Sequence, residues 1–123
     1  MHQAASVYSN NQKAALKPRD LEAHLLMKGS RLLQEAKDKW DWQDWTKLEE
    51  ALKFNQTVWG VLTNSVTNPE NPLPREIRQN VANIGIFILG RIFEVRQDPK
   101  PQSLDAIINL NRTLAAGLRG EPG

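Results

Sequence analysis

Cysteine is absent from this 123-residue chain, and only two histidines occur, His2 and His24. Without a thiol there is no disulfide staple, no Cys-ligated zinc and no sulfur nucleophile. His24 stands among leucines with no second ligand at helical spacing, which leaves a histidine metal site without support. Glycine is scattered and never forms a phosphate-cradling loop, and neither a nucleophile elbow nor a His-Glu metalloprotease motif is present. Carboxylates do occur side by side, as in Glu49 and Glu50. Adjacent positions on a helix point in different directions, however, so such pairs make no acid–base couple. The sequence therefore predicts no enzyme, no metal and no cofactor.

Long hydrophobic runs are missing too. The most apolar stretch, residues 84–89, falls far short of the roughly 20 residues that a spanning helix needs. Residues 1–16 have neither the cationic start nor the apolar centre of a secretory signal, so the expectation is a cytoplasmic protein without membrane insertion. Charge of one sign is not in excess: 16 Lys and Arg face 14 Asp and Glu, for a formal net charge of +2. The two halves of the chain each net +1. A nucleic-acid footprint needs a clustered cationic face, so direct nucleic-acid binding is not expected.

What remains is a helical pattern. Strand-like alternation is nowhere competitive, and Pro and Gly divide the chain into blocks whose apolar residues recur at three and four. The reading is all-α: a small bundle of four main helices at 18–37, 45–65, 75–96 and 103–118, in one domain, with residues 1–16 as a short helix or arm that includes Tyr8. Pro18 opens the first helix with Asp20 and Glu22 in its first turn, as the helix dipole favours. Gly29 lies inside the apolar face of that helix at a cost of about 1 kcal/mol relative to Ala, which a close crossing would explain. Pro69, Pro72 and Pro74 make residues 67–74 a stiff non-helical linker. Ser103 is expected to N-cap the fourth helix, with Gly117 and Gly120 as stop signals.

Three asparagines stand on or beside the apolar stripes: Asn55, Asn80 and Asn111. At about 100° per residue, Asn111 falls near the centre of the side formed by Leu104, Ile107, Ile108, Ala115 and Leu118. Buried amides need partners or they cost about 1–3 kcal/mol each. The favoured reading is a polar layer where the second, third and fourth helices converge, with Arg91 or Arg112 as possible further members, fixing register as a buried Asn does in a coiled coil. The alternative is that the amides line a groove for a partner.

The third helix is apolar on two sides. Ile77, Val81, Ile84, Ile88, Ile92 and Val95 form its main stripe, while Ile86, Leu89 and Phe93 lie opposite. Those three residues are the first candidates for partner contact, unless the N-terminal arm or the first helix covers them. Trp40, Trp42 and Trp45 crowd the first connection. Trp45 is expected to close the end of the bundle, and Trp40 and Trp42 are the second candidates for contact.

Several segments together carry a resemblance. Pro18-Arg19-Asp20-Leu21-Glu22-Ala23, then Ala51-Leu52-Lys53-Phe54-Asn55-Gln56-Thr57-Val58-Trp59, then Asn71-Pro72-Leu73-Pro74 with Ile77-Arg78-Gln79-Asn80, and finally Asn109 through Leu118 occur in the order and spacing of the FlaF family. The chain resembles these bacterial flagellar biosynthesis regulators over nearly its whole length, and its Trp-rich connector departs from the pattern. The resemblance implies a small cytoplasmic helical protein required for flagellin synthesis or export, acting alongside the flagellin translational regulator FlbT. Two readings follow. One is a flagellin-binding chaperone with a helix-in-groove surface. The other is a post-transcriptional adaptor acting through FlbT or flagellin mRNA.

Overall fold

The computed structural model describes residues 18–120, and every regular element among them is helical. The helices are α1 (Pro18–Asp38), α2 (Thr46–Val66), α3 (Arg75–Gln97) and α4 (Asp105–Leu118), with a 3-10 turn at Pro101–Leu104 leading into α4. Residues 1–16, read from sequence as an arm or short helix, lie outside the described residues.

The first three boundaries fall within a residue of expectation. The fourth does not. Ser103 sits inside the 3-10 turn, where its N–H donates to the Lys100 carbonyl at 3.0 Å, and no side chain caps α4. Pro101, at the head of the turn, supplies the fixed φ that such a tight start accepts. At its other end α4 stops where Gly120 adopts a φ of 75°, a left-handed conformation that costs Gly nothing.

The linker between α2 and α3 is built by asparagine side chains. Asn68 Oδ1 accepts from the Glu70 N–H and Asn71 Oδ1 from the Leu73 N–H, both at 2.9 Å, so each makes a local turn of the backbone. Asn71 Nδ2 also donates to the Ser65 carbonyl at 3.1 Å, tying the linker to the last turn of α2. Arg78 Nε reaches back to the Leu73 carbonyl at 3.1 Å. The linker therefore aims α3 and does not merely span a gap.

Cross-helix pairs give the topology. Asn55 bonds at Gly29 and Lys47 pairs with Glu35, so α2 runs antiparallel to α1. Asn111 bonds at Leu26, Ser30 at Ile108 and Lys37 at Asp105, so α4 is antiparallel to α1 as well. Arg96 meets Glu49 while Gly85 abuts Thr63, which makes α3 antiparallel to α2. Helix α1 thus lies between α2 and α4, and α3 rests on the far side of α2 with only slight contact to α4.

The buried set follows from this arrangement: Ala23, Leu26, Leu33 and Ala36 from α1, Leu48, Leu52, Trp59 and Leu62 from α2, and Ile107, Ile108 and Ala115 from α4. Helix α3 contributes Val81, Gly85, Ile88, Ile92 and Val95. Its predicted stripe is longer than its buried stripe. Ile77 is 44% exposed and Ile84 only partly buried. Counting back from the Thr63–Gly85 contact, α2 ends at Val66 opposite the first turns of α3, so Ile77 has a linker beside it and no helix.

Two substitutions test the packing in opposite directions. Leu52→Ala, at a site 1% exposed, is expected to lower unfolding free energy by about 2–5 kcal/mol in urea titrations. Gly90→Ala, where a Cβ would meet nothing within 4 Å, is expected to raise it by about 0.5–1 kcal/mol through helix propensity.

Candidate functional site

Two amides and an indole form the polar centre of the bundle. Asn55 and Asn111 are both 0% exposed, and Asn111 Nδ2 donates to Asn55 Oδ1 at 2.7 Å. Asn55 Nδ2 donates to the carbonyls of Gly29 at 3.1 Å and Ala51 at 2.8 Å, while the second Asn111 amide proton goes to the Leu26 carbonyl at 3.2 Å. Trp59 Nε1, itself fully buried, donates to Asn111 Oδ1 at 2.8 Å. All five N–H groups of the trio are used. Nearby, Ser30 Oγ donates to the Ile108 carbonyl at 3.1 Å.

Gly29 makes room for the pair. A Cβ there would collide with Asn55 Oδ1 and come within 3.0 Å of Asn111 Nδ2. The close crossing read from the sequence is thus a crossing of two side chains over a bare backbone, at the junction of α1, α2 and α4. That junction differs from the expected one. Asn80 is exposed and Arg112 is exposed, and Arg91 turns to the Ser103 carbonyl at 3.5 Å, so none of the three belongs to the layer. The physical reason is that α3 buries its Val81–Gly85–Ile88 ridge on α2, which leaves Asn80 on the side turned away.

Among the described residues, nothing covers the outer side of α3. Ile86 is 68% exposed and Phe93 64%, while Leu89 between them is half-buried and packed on the core. Arg96, one turn beyond Phe93, fixes where this face lies. Its guanidinium takes both Glu49 oxygens, with contacts of 2.8 to 3.2 Å, and Gln56 Oε1 at 2.9 Å. Gly60 is one turn beyond Gln56 on α2, and nothing lies within 4 Å of its missing Cβ. Helical spacing sets Ile86, Leu89 and Phe93 along one side of α3, and the neighbouring surface of α2 is open at Gly60. Phe87, also exposed, lies off this line with Arg91 over its ring at 5.2 Å.

At the end of the bundle, Trp40, Trp42 and Trp45 pack edge to face on one another with centroids 5.4 to 5.6 Å apart. Trp42 is 63% exposed and Trp40 half-buried. Trp45, expected to close the bundle, is 37% exposed and contributes to a surface instead of a plug. Leu48, one turn on, is the residue that seals the core there.

Comparison with protein-family models gives one assignment: the model described as Flagellar protein FlaF matches residues 4–118. The chain belongs to the FlaF flagellar protein family. No curated protein and no solved structure matches it. The match takes in all four helices of this FlaF chain, so the amide layer and the outer face of α3 both lie within the family domain. No described helix is long and apolar enough to cross a membrane.

Among the described residues, Glu22 is the carboxyl whose pKa its surroundings raise. Glu22 borders a cavity of about 140 Å³ lined by Leu62, Val66, Leu73, Leu114 and Leu118, and burial raises its carboxyl pKa against the opposing pull of Arg19. A raised folded-state pKa means that charged Glu22 opposes folding: its favourable contribution is complete below pH 4.5 and is lost as pH rises through the folded value. Glu22→Gln is expected to raise the melting temperature at pH 7 and to leave it unchanged or lower at pH 3.

Asn111→Leu is expected to orphan the Trp59 N–H and Asn55 Oδ1, at about 1–3 kcal/mol for each. The Asn55→Leu/Asn111→Leu double variant should cost less than the sum of the single changes, because each single change already breaks the shared bond. A double-mutant cycle by chemical denaturation measures the difference. Gly29→Ala should also destabilise the protein, despite the helix propensity it gains.

Proposed function

We propose that this FlaF-family protein is a flagellin-binding chaperone and that the outer face of α3 is its docking surface. The observation that carries the reading is the exposure of Ile86 and Phe93 on a helix whose other side is already committed to the core. A surface helix usually turns polar residues to water, and an apolar pair two turns apart, with Leu89 between, has the spacing that an amphipathic partner helix reads. The open α2 surface at Gly60 lets a helix backbone approach closely.

Membership of a flagellar protein family supports flagellin as the partner. Flagellin that has not yet assembled carries terminal segments that become long amphipathic helices in the filament, and before assembly their apolar sides lack cover. Laying one of them along Ile86, Leu89 and Phe93 hides both apolar surfaces at once, holds the subunit apart from its neighbours and keeps it competent for export. Chain-internal chemistry is not required. The work is done by burial of apolar area, roughly 25 cal/mol per Å² before ordering costs.

Phe93→Asp and Ile86→Asp are each expected to abolish recovery of flagellin with the co-expressed protein, while thermal unfolding stays close to wild type because both side chains are exposed. The wild-type complex should persist at moderate salt, as an apolar contact does. Flagellin recovery unchanged in both variants would overturn this reading. Wild-type binding to flagellin mRNA or FlbT that these variants retain, with no flagellin bound directly, would favour a post-transcriptional adaptor.

A further inference from the structure

The Trp-rich end of the bundle has its own chemistry, independent of the α3 face. Residues 35–50 carry three lysines and six carboxylates, a net −3 inside a chain whose formal charge is +2. The lysines are already engaged: Lys39 and Lys47 both turn to Glu35, at 3.5 and 3.3 Å, and Lys37 turns to Asp105 at 2.6 Å. Among the described residues, Asp38, Asp41, Asp44 and Glu50 have no cation within 4.0 Å.

Asp41 and Asp44 are nonetheless held in place. Asp41 Oδ1 accepts the Gln43 N–H at 2.8 Å and Asp44 Oδ1 the Thr46 N–H at 3.0 Å. The bonds from Thr46 keep the Asp44 carboxyl below its ordinary range, so it stays charged near neutrality. These two carboxylates flank Trp42 in sequence; with Trp40, Trp45, Leu48 and the Glu35-paired lysines Lys39 and Lys47 they line a shallow cavity of about 110 Å³, and the exposed Trp42 ring is not part of that lining. Trp40 Nε1 is buried without an acceptor among the described residues. An indole face attracts a cation, most strongly where water is partly displaced, and a buried N–H requires an oxygen.

We propose that this end of the bundle binds a basic peptide segment: an Arg or Lys side chain lies over the exposed Trp42 ring beside Asp41 and Asp44. Charge complementarity selects this occupant. The net −3 segment repels nucleic acid and anionic lipid headgroups. A bare metal ion is not accommodated either, since no group of three or more potential ligands converges among the described residues. A side-chain cation satisfies the carboxylates and the exposed ring together.

The test uses the full chain with 15N-labelled indoles and two acetylated, amidated peptides, Ala-Arg-Ala-Arg-Ala and its Gln-for-Arg counterpart. Binding of the Arg peptide should move the Trp40 and Trp42 indole signals and leave buried Trp59 in place. Its Kd should weaken roughly fivefold or more in Trp42→Ala and in the Asp41→Asn/Asp44→Asn double variant, and again as salt rises from about 50 to 300 mM. Phe93→Asp should leave it unchanged, which separates this surface from the flagellin face. Equal responses to the Gln peptide, or undiminished binding in the Asn double variant, would overturn the proposal. If Trp42→Ala fails to fold by circular dichroism, the Asn double variant, which alters only exposed side chains, decides the matter alone.

Discussion

The bond between Asn111 and Asn55, with that from the Trp59 indole to Asn111, sets the register of two helices whose apolar stripes alone would not. Apolar stripes on α2 and α4 can slide along α1 by a turn and still bury methyl groups, because hydrophobic contact is not directional. The amides cannot slide. Asn55 must find the Gly29 carbonyl and Asn111 the Leu26 carbonyl, one turn apart on α1, while Trp59 must find Asn111. A shift of α4 by one turn would leave three buried N–H groups without acceptors, the two of Asn111 and that of Trp59, each costing about 1–3 kcal/mol. Burying this trio adds little net stability over a well-packed apolar core, but it penalises every competing arrangement heavily. Gly29 is the geometric condition for the whole device, and the helix propensity lost there is small beside the alternatives it excludes.

Locking α1, α2 and α4 in this way determines what is left for α3. Trp59 reaches α4 with its indole N–H while its ring edge lies against Gly85 of α3, so one side chain links the polar junction to the outlying helix. Among the described elements, helix α3 has a single substantial neighbour, α2, and it is fastened at both ends by arginines: Arg78 to the linker and Arg96 to Glu49 and Gln56. A helix held on one side and at both ends presents its remaining side as a fixed surface. That is why Ile86 and Phe93 can stay exposed without being mobile in register, and a fixed apolar ridge orders a partner at lower entropic cost than a flexible one.

Much of this was legible in the sequence because it rests on local periodicity. The four helices, the proline-bounded linker and the mid-stripe positions of Asn55 and Asn111 follow from spacing alone. The third asparagine misled because the stripe of α3 was drawn from Ile77, whereas the buried ridge begins at Val81. Periodicity reports that a residue is on the apolar side of a helix but not whether a neighbour extends far enough to cover it. Which helices converge is likewise a tertiary fact: four stripes permit several junctions, and only the pairing of Gly29 with both amides selects α1, α2 and α4. A usable signal was passed over in Trp59, since an indole on a buried stripe needs an acceptor and the asparagines offered one. Trp45 differs for a similar reason: an aromatic at a helix start can close a bundle end, but here Leu48, one turn on, is the buried residue.

Charge was hidden by the scale on which it was counted. Each half of the chain nets +1, yet residues 35–50 net −3, so the acid is concentrated where three tryptophans emerge and the base is spread over the rest. The spread base leaves no cationic face for phosphate, while the local acid creates a site for the opposite partner. The distinction matters for a protein with two exposed aromatic surfaces. On the α3 ridge the Arg96 charge is neutralised across the α2–α3 seam by Glu49 and Glu94 pairs with Arg91, so recognition there is governed by shape and apolar area. At the Trp end the lysines are spent on Glu35 and Asp105, and the unpaired carboxylates add a selection by charge that apolar contact cannot provide. Salt weakens the second kind of contact and spares the first. One small bundle thereby separates its two surfaces by physics as well as by position, so that occupancy of one need not interfere with occupancy of the other.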